Sequence, residues 1–238
     1  MNKSNPELFF EAIDYRFSDV SLLENALTHS SFANDQKLPY TANNERLEFL
    51  GDAVLELVVS RFIFTEHPSM PEGNMTTLRA SLVCEQSLAA AARQIGLETH
   101  VKLGHGEEKT GGRNRDSILS DAFEAVIGAI YLDGGLEEAE RFVKTYILTD
   151  IESKSLYYDS KSKLQEIVQD YFHENSRIVY EVIGEEGPAH AKTFRVSCQI
   201  QGKEFSTGTS HTKKKAEQEA AYEALLLIKD KELPSLLG

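Results

Sequence analysis

Two thirds of the way along this chain the spacing of its apolar side chains changes period, and that change limits the fold more than any other feature of the sequence. In the segments 20–27, 44–64, 74–95, 117–132 and 136–148, apolar residues recur three and four apart, the spacing of helices that bury one face. Beyond a polar stretch at 151–159 the pattern becomes mixed, with a helical segment at 161–173 followed by alternating runs at 178–183 and 193–200. Phe194, Val196, Cys198 and Ile200 fall on one face of the second run, as in a half-buried strand. Gln201-Gly202-Lys203 then turns the chain into a third short strand at 204–207. Residues 213–228 return to helix, with Ala216, Ala220 and Leu227 on one side. The stretches 68–73 and 104–115, rich in Gly and Pro or in Gly alone, read as loops. In 238 residues, long enough for two ordinary domains, the sequence predicts an all-α domain over 1–150, a linker over 151–159, an α+β domain of order α-β-β-β-α over 160–230, and a tail over 231–238.

Charge divides along the same line. The chain carries a net charge of -13, which by itself argues against a nucleic-acid partner. Residues 1–156 hold 14 Lys+Arg against 25 Asp+Glu, net -11, leaving 11 against 13, net -2, for 157–238. An acidic half can meet a polyanion only where divalent cations or a locally basic second half screen the repulsion. The first ten residues lack an apolar signal core and eighteen apolar residues nowhere run together, so the expectation is a soluble, unexported, cytoplasmic chain with no membrane partner. Cys84 and Cys198 lie in different predicted domains, which argues against both a disulfide framework and a cysteine zinc site.

The acidic half concentrates its chemistry in two places. Glu45, Glu48 and Asp52 stand at i, i+3 and i+7, so one helix would carry them in a single stripe, with Leu47, Leu50, Val54 and Leu57 on the opposite face. Like charges so spaced oppose helix formation, and a cation would remove that opposition. Asp121 and Glu124 lie one turn apart in a second segment, where Ala125, Gly128 and Ala129 would let another helix approach closely. Should the two helices cross there, Glu48, Asp52, Asp121 and Glu124 converge as an all-oxygen cluster of the kind that suits Mg²⁺ or Mn²⁺. Metal-acidified water could then attack a phosphodiester with no Ser, Cys or His nucleophile. Spacing alone does not separate such a set from a solvated acidic face, and periodicity gives no reason to exclude Glu56, which shares the stripe. His29 reads as a buried or helix-capping histidine, because no second histidine stands at metal-ligand spacing from it. Phe49 lies beside the acids and away from the apolar face; either a second subunit covers it or it packs beneath a loop of its own.

In the second half, Thr212-Lys213-Lys214-Lys215 sets three lysines in the first turn of a helix, where the backbone dipole is already positive. Opposed terms at one spot point to an anion, and a phosphate would satisfy both the lysines and the free N–H groups.

The run Asn44-Glu45-Arg46-Leu47-Glu48-Phe49-Leu50-Gly51-Asp52-Ala53-Val54-Leu55 closely resembles the signature of the ribonuclease III family. The resemblance continues through 106–113 and 116–133, and residues 160–230 resemble the double-stranded RNA-binding domain. It implies a metal-dependent endoribonuclease for double-stranded RNA, with Glu48, Asp52, Asp121 and Glu124 as metal ligands. Asp52 and Glu124 would be the catalytic residues, Glu124 the most direct, with Glu45 and Glu72 guiding RNA beside the metal. It also implies a homodimer, in which two acidic sites face one cleft and leave 5′-phosphate and 3′-hydroxyl ends with a short 3′ overhang; the position of Phe49 on its helix makes it the candidate for that dimer interface. Ribosomal and messenger precursors would be the substrates. In the second domain, Gln165, Glu166 and Gln169 would face one minor groove, His190 the next, and Lys213 with Lys214 the phosphates between. Departures are few: Thr110 stands where the family often has Ser, Ser30 where Arg or Lys is common, and Ser210 where Gly is common. The rivals are a non-cleaving RNA-binding or ribosome-associated protein and a phosphohydrolase of small nucleotides. The retained acids oppose the first, and the lysine-bearing second half opposes the other.

Overall fold

A computed structural model describes residues 6–173, 176–187 and 192–230. The chain divides into two compact units, Met1–Ile151 and Glu152–Gly238.

The first unit is all-helical. Its elements are α1 (Pro6–Ile13), α2 (Val20–Ala26), α3 (Ser30–Asp35), α4 (Glu45–Glu66), α5 (Glu72–Leu82), α6 (Glu85–Gln94), α7 (His105–Lys109) and α8 (Asp116–Tyr146). Helices α4 and α8 form the centre, where Leu55, Val59 and Ile63 meet Leu119, Phe123, Ile127 and Ile130 in a core closed to solvent. The predicted segments 117–132 and 136–148 are the two halves of α8. They part at Gly135, whose φ of 83° and ψ of -176° belong to no helix and suit only glycine. The carboxylate of Asp133 holds that junction, accepting from the Tyr15 hydroxyl at 2.7 Å and from the backbone N–H of Ser18 and Asp19 at 2.9 and 2.8 Å.

Several local expectations change. The predicted helix 74–95 is two helices, α5 and α6. At the break, the Ser81 carbonyl accepts from the Ser87 hydroxyl at 2.8 Å and the Cys84 thiol at 3.4 Å, side-chain donors that occupy a backbone acceptor at the helix end. The stretch 104–115 is not simply a loop, since it forms α7 and a 3-10 turn at Gly112–Asn114. Arg113 pins it by donating to the carbonyls of Glu98 and Val101 and to both carboxylate oxygens of Glu108. Leu57, expected on the core face of α4, is exposed. The buried arc of α4 runs through Leu47, Val54, Leu55, Val58, Val59 and Ile63, and the acids border that arc rather than oppose it.

In the second unit, α9 (Ile151–Tyr158) covers most of the stretch that reads as a linker, and α10 (Ser160–Phe172) follows. Strands β1 (Ile178–Glu186), β2 (Thr193–Ile200) and β3 (Lys203–Ser210) pair antiparallel in that order, and α11 (Lys213–Asp230) closes the unit. The predicted order α-β-β-β-α is therefore present, preceded by α9. Gln201 and Gly202, with φ of 54° and 79°, make the two-residue turn between β2 and β3. Leu164 and Val168 of α10, Val196, Cys198 and Ile200 of β2, and Ala216, Ala220, Ala221, Ala224 and Leu225 of α11 are buried. Leu227, expected with Ala216 and Ala220, is exposed, because the buried stripe of α11 turns toward Ala221 and Leu225. Helix α9 packs into this core through Leu156; Tyr157 meets Tyr222 edge-on at 5.3 Å, and the Gln218 amide donates to the Tyr157 carbonyl at 2.6 Å. Cys84 and Cys198 are free thiols. Among the described residues no helix is long and apolar enough to cross a membrane.

Candidate metal centre and nucleic-acid interface

Two glycines set the distance at which α4 and α8 cross. A Cβ added at Gly51 would lie 1.8 Å from the Glu124 carbonyl oxygen, and one at Gly128 would lie 2.3 Å from the Leu47 carbonyl oxygen. Backbone therefore touches backbone, closer than any side chain allows. Glu48 sits one turn before Gly51, and Asp121 and Glu124 lie within two turns before Gly128, so the crossing turns three acids toward one another. One carboxylate oxygen from each of Glu48, Asp121 and Glu124 lies within 4.8 Å of the others.

All three are half-buried, and each holds its proton more tightly than an ordinary carboxyl. Glu124 is pushed up to about 8, first by burial and then by the charges of Asp52, Asp121, Glu48 and Glu56. Glu48 is raised by burial, then by Asp121, Glu45 and Asp52. Burial also raises Asp121, against the opposing hydrogen bond from Ser120 and the charge of His29. Among the described residues no lysine or arginine forms an ion pair with any of the three. Converging carboxylates in a half-dry site, with no lysine or arginine paired to them among the described residues, fit a hard divalent cation bound through oxygen.

Asp52 stands apart from that group. It is exposed, one turn further along α4, and acts on Glu124 and Glu48 through its charge. Glu56, which periodicity could not exclude, is committed to an ion pair with Arg79 of α5 at 2.9 Å. Glu45 opens α4 and Glu72 opens α5, both exposed and both outside the three-acid group; Glu72 accepts from the Thr76 hydroxyl at 3.0 Å. His29 caps α3, its Nδ1 accepting from the Ser31 N–H at 3.2 Å.

Phe49 is 80% exposed. Ala53, Leu57 and Phe64 continue its line along α4, and Leu57 and Phe64 are 55% and 73% exposed. All four fall within roughly 80° of arc at 100° per residue. Sequence reading found only Phe49; the exposure of Leu57 and Phe64 depends on which arc α8 covers.

On the second unit, Gln165, Glu166 and Gln169 project from α10 into solvent. Lys213 and Lys214 are exposed in the first turn of α11, where the Thr212 hydroxyl accepts from the Lys215 N–H at 3.2 Å. His190 lies outside the described residues. Lys213 also meets Glu185 and Phe194; the sequence pattern placed Phe194 only on a strand face and did not single out Glu185.

A family model described as Ribonuclease-III-like matches residues 19–151, and one described as Double-stranded RNA binding motif matches residues 160–228. Ribonuclease 3 of Streptococcus gordonii is 46% identical over 224 residues, 93% of this chain and 96% of that protein. Ribonuclease 3 of Streptococcus pyogenes serotype M3 is 44% identical over 230 residues, 96% of this chain and 99% of its own length. Among solved structures, the nuclease domain of ribonuclease III from Campylobacter jejuni superposes with a TM-score of 0.56 at 44% identity, covering 60% of this chain and 94% of that one. A second structure of the same domain, described by its structural flexibility in a region involved in dimer formation, gives 0.55 at 42% identity over 60% of this chain and 99% of that one.

Proposed function

This chain belongs to the ribonuclease III family of endoribonucleases and carries a double-stranded RNA-binding domain, and from that premise we propose that it hydrolyses both strands of RNA duplexes using Mg²⁺, with Mn²⁺ able to substitute. The convergence of Glu48, Asp121 and Glu124 at a crossing set by Gly51 and Gly128 is the observation that carries the proposal. These three would hold the ion, with Asp52 joining from the solvent side. A divalent ion bound there supplies acidified water and compensates negative charge at the phosphodiester.

The side chains prepare that chemistry. Glu124, raised by burial and by its acidic neighbours, favours its protonated form in the free protein, and a bound cation would draw it toward the carboxylate. Burial removes competing water, which strengthens each remaining electrostatic interaction. Glu45 and Glu72, at two helix starts, would guide the RNA beside the acids. On the second unit, Gln165, Glu166, Gln169 and His190 would read the A-form minor grooves, and Lys213 with Lys214 would hold the phosphates between them. Products would carry 5′-phosphate and 3′-hydroxyl ends with a short 3′ overhang, from ribosomal and messenger precursors in the cytoplasm. Labelled duplex RNA should be cut into short duplexes in Mg²⁺ and remain whole in EDTA; persistence of the full-length duplex in Mg²⁺ would return the chain to a non-cleaving RNA-binding role.

Two such sites facing one cleft need a dimer, and the exposed stripe Phe49, Ala53, Leu57 and Phe64 supplies an apolar face for it. Large apolar side chains at an interface centre contribute on the order of 2 kcal/mol each. Phe49→Ala with Leu57→Ala should therefore weaken self-association at least tenfold in sedimentation velocity. A dimer as tight as the parent's would remove the stripe from that role.

A further inference from the structure

Strand register joins Lys213 of the lysine run to a cluster of residues that lie outside the motifs. The β1–β2 ladder pairs Glu185 with Phe194, and the β2–β3 ladder pairs Phe194 with Ser210. Lys192 stands just ahead of β2, two residues before Phe194, and α11 begins just beyond Ser210 with Lys213. The two lysine Nζ atoms each lie 5.4 Å from the centre of the Phe194 ring. Both also reach the Glu185 carboxylate, Lys192 through a close ion pair to Oε2 and Lys213 at 3.6 Å to Oε1. One carboxylate thus divides its oxygens between two ammonium groups, as the two free oxygens of a phosphodiester could.

Several observations argue that this is more than a hairpin staple. Lys192, Lys213 and Glu185 keep 41%, 57% and 37% of their side-chain surface in water, and ion pairs so exposed contribute little to folding. Two cations against one aromatic face repel each other unless an anion lies between them, while the ring attracts both. Lys213 also sits where the free N–H groups of a helix start favour an anion. The hydrogen bond from Lys192 and the charges of both lysines hold Glu185 ionised, its carboxyl below the usual range.

We propose that Lys192 and Lys213, seated on Phe194, form a two-pronged clamp for one phosphate of the RNA backbone, and that Glu185 fills the clamp in the free protein and is displaced by that phosphate. The inference rests on the second unit binding duplex RNA, and it adds to that reading a contact at Lys192 and an internal competitor at Glu185. Affinity for RNA then includes the expulsion of a carboxylate, so Glu185 limits how tightly any duplex is held and how strongly salt acts on that grip.

Binding of a labelled RNA duplex to the full chain, in EDTA and across a salt series, tests it. Glu185→Gln should bind about 3- to 10-fold more tightly at low salt, with a salt slope steeper by about one ion. Lys192→Ala should bind about 3- to 10-fold more weakly, with a slope shallower by about one. Equal or weaker binding by Glu185→Gln, or parental binding by Lys192→Ala, overturns the clamp. A Lys213→Ala, Lys214→Ala double variant separates the two levels. If it binds as the parent does, the helix start does not grip RNA and the underlying reading fails with the clamp. If it weakens binding while Glu185→Gln does not tighten it, the clamp alone fails.

Discussion

Glu124→Gln should lower the rate of duplex cleavage by at least about a thousandfold, on the order of 4 kcal/mol of transition-state stabilisation, while duplex binding stays within about twofold of the parent. Glutamine keeps the shape of the side chain but not its charge, and Glu124 is the half-buried acid on which the charges of Asp52, Asp121, Glu48 and Glu56 all act. The helix α11 lysines and the α10 polar face belong to the other unit and are untouched. Single-turnover cleavage at saturating Mg²⁺, measured beside duplex binding in EDTA, checks both halves, and near-parental turnover would remove Glu124 from the chemistry. The same substitution should stabilise the metal-free protein. A carboxyl raised from 4.5 to about 8 in the fold favours the native state below its unfolded value, and that advantage disappears as pH rises through its folded value. The metal-free parent should thus lose stability between about pH 4.5 and 8 relative to Glu124→Gln. After discounting for residual solvent around a half-buried group, the gap at pH 8 is on the order of 1–2 kcal/mol, readable by thermal unfolding in EDTA.

The second large effect is structural. Gly51→Ala would place a methyl group 1.8 Å from the Glu124 carbonyl oxygen, which the backbone of α8 cannot evade while Leu55, Leu119, Phe123 and Ile127 remain packed. Relief requires the two helices to separate, opening the centre of the core at a cost of roughly 3 kcal/mol or more. Gly128→Ala meets the Leu47 carbonyl oxygen at 2.3 Å and should behave alike. Either variant should unfold at markedly lower denaturant concentration. Any folded fraction should cut RNA poorly, because separation moves Glu48 away from Asp121 and Glu124. Parental stability in Gly51→Ala would mean that the helices do not cross so closely in solution.

The sequence carried much of this, and the failures have causes. The spacing of Glu45, Glu48 and Asp52 and the small residues after Glu124 were compatible with a crossing that brings acids together, but only the family resemblance separated that arrangement from a solvated acidic face. Spacing could not show that Glu56 is engaged, because its partner Arg79 comes from α5, nor that Asp52 faces solvent beside the group. Alternation along β2 located three buried residues, Val196, Cys198 and Ile200. Leu57 and Leu227 misled for one reason: a helical face read from its own periodicity is centred on its apolar residues, whereas burial follows the neighbouring element that lies against it. Apolar spacing also runs across the break at Val83 and Cys84, since the side-chain donors that end α5 and the helix that restarts at Glu85 leave the pattern intact. Lys192 and Glu185 have no motif to mark them, because they become neighbours of each other and of Lys213 only through strand register.

Helix α9 bears on where the binding module ends. With Leu156 packed against its core, Tyr157 against Tyr222 and Gln218 anchored to the Tyr157 carbonyl, the compact unit extends beyond its recognisable motif. A fragment begun at Ser160 would discard its own buttress and leave Gln218 searching for an acceptor.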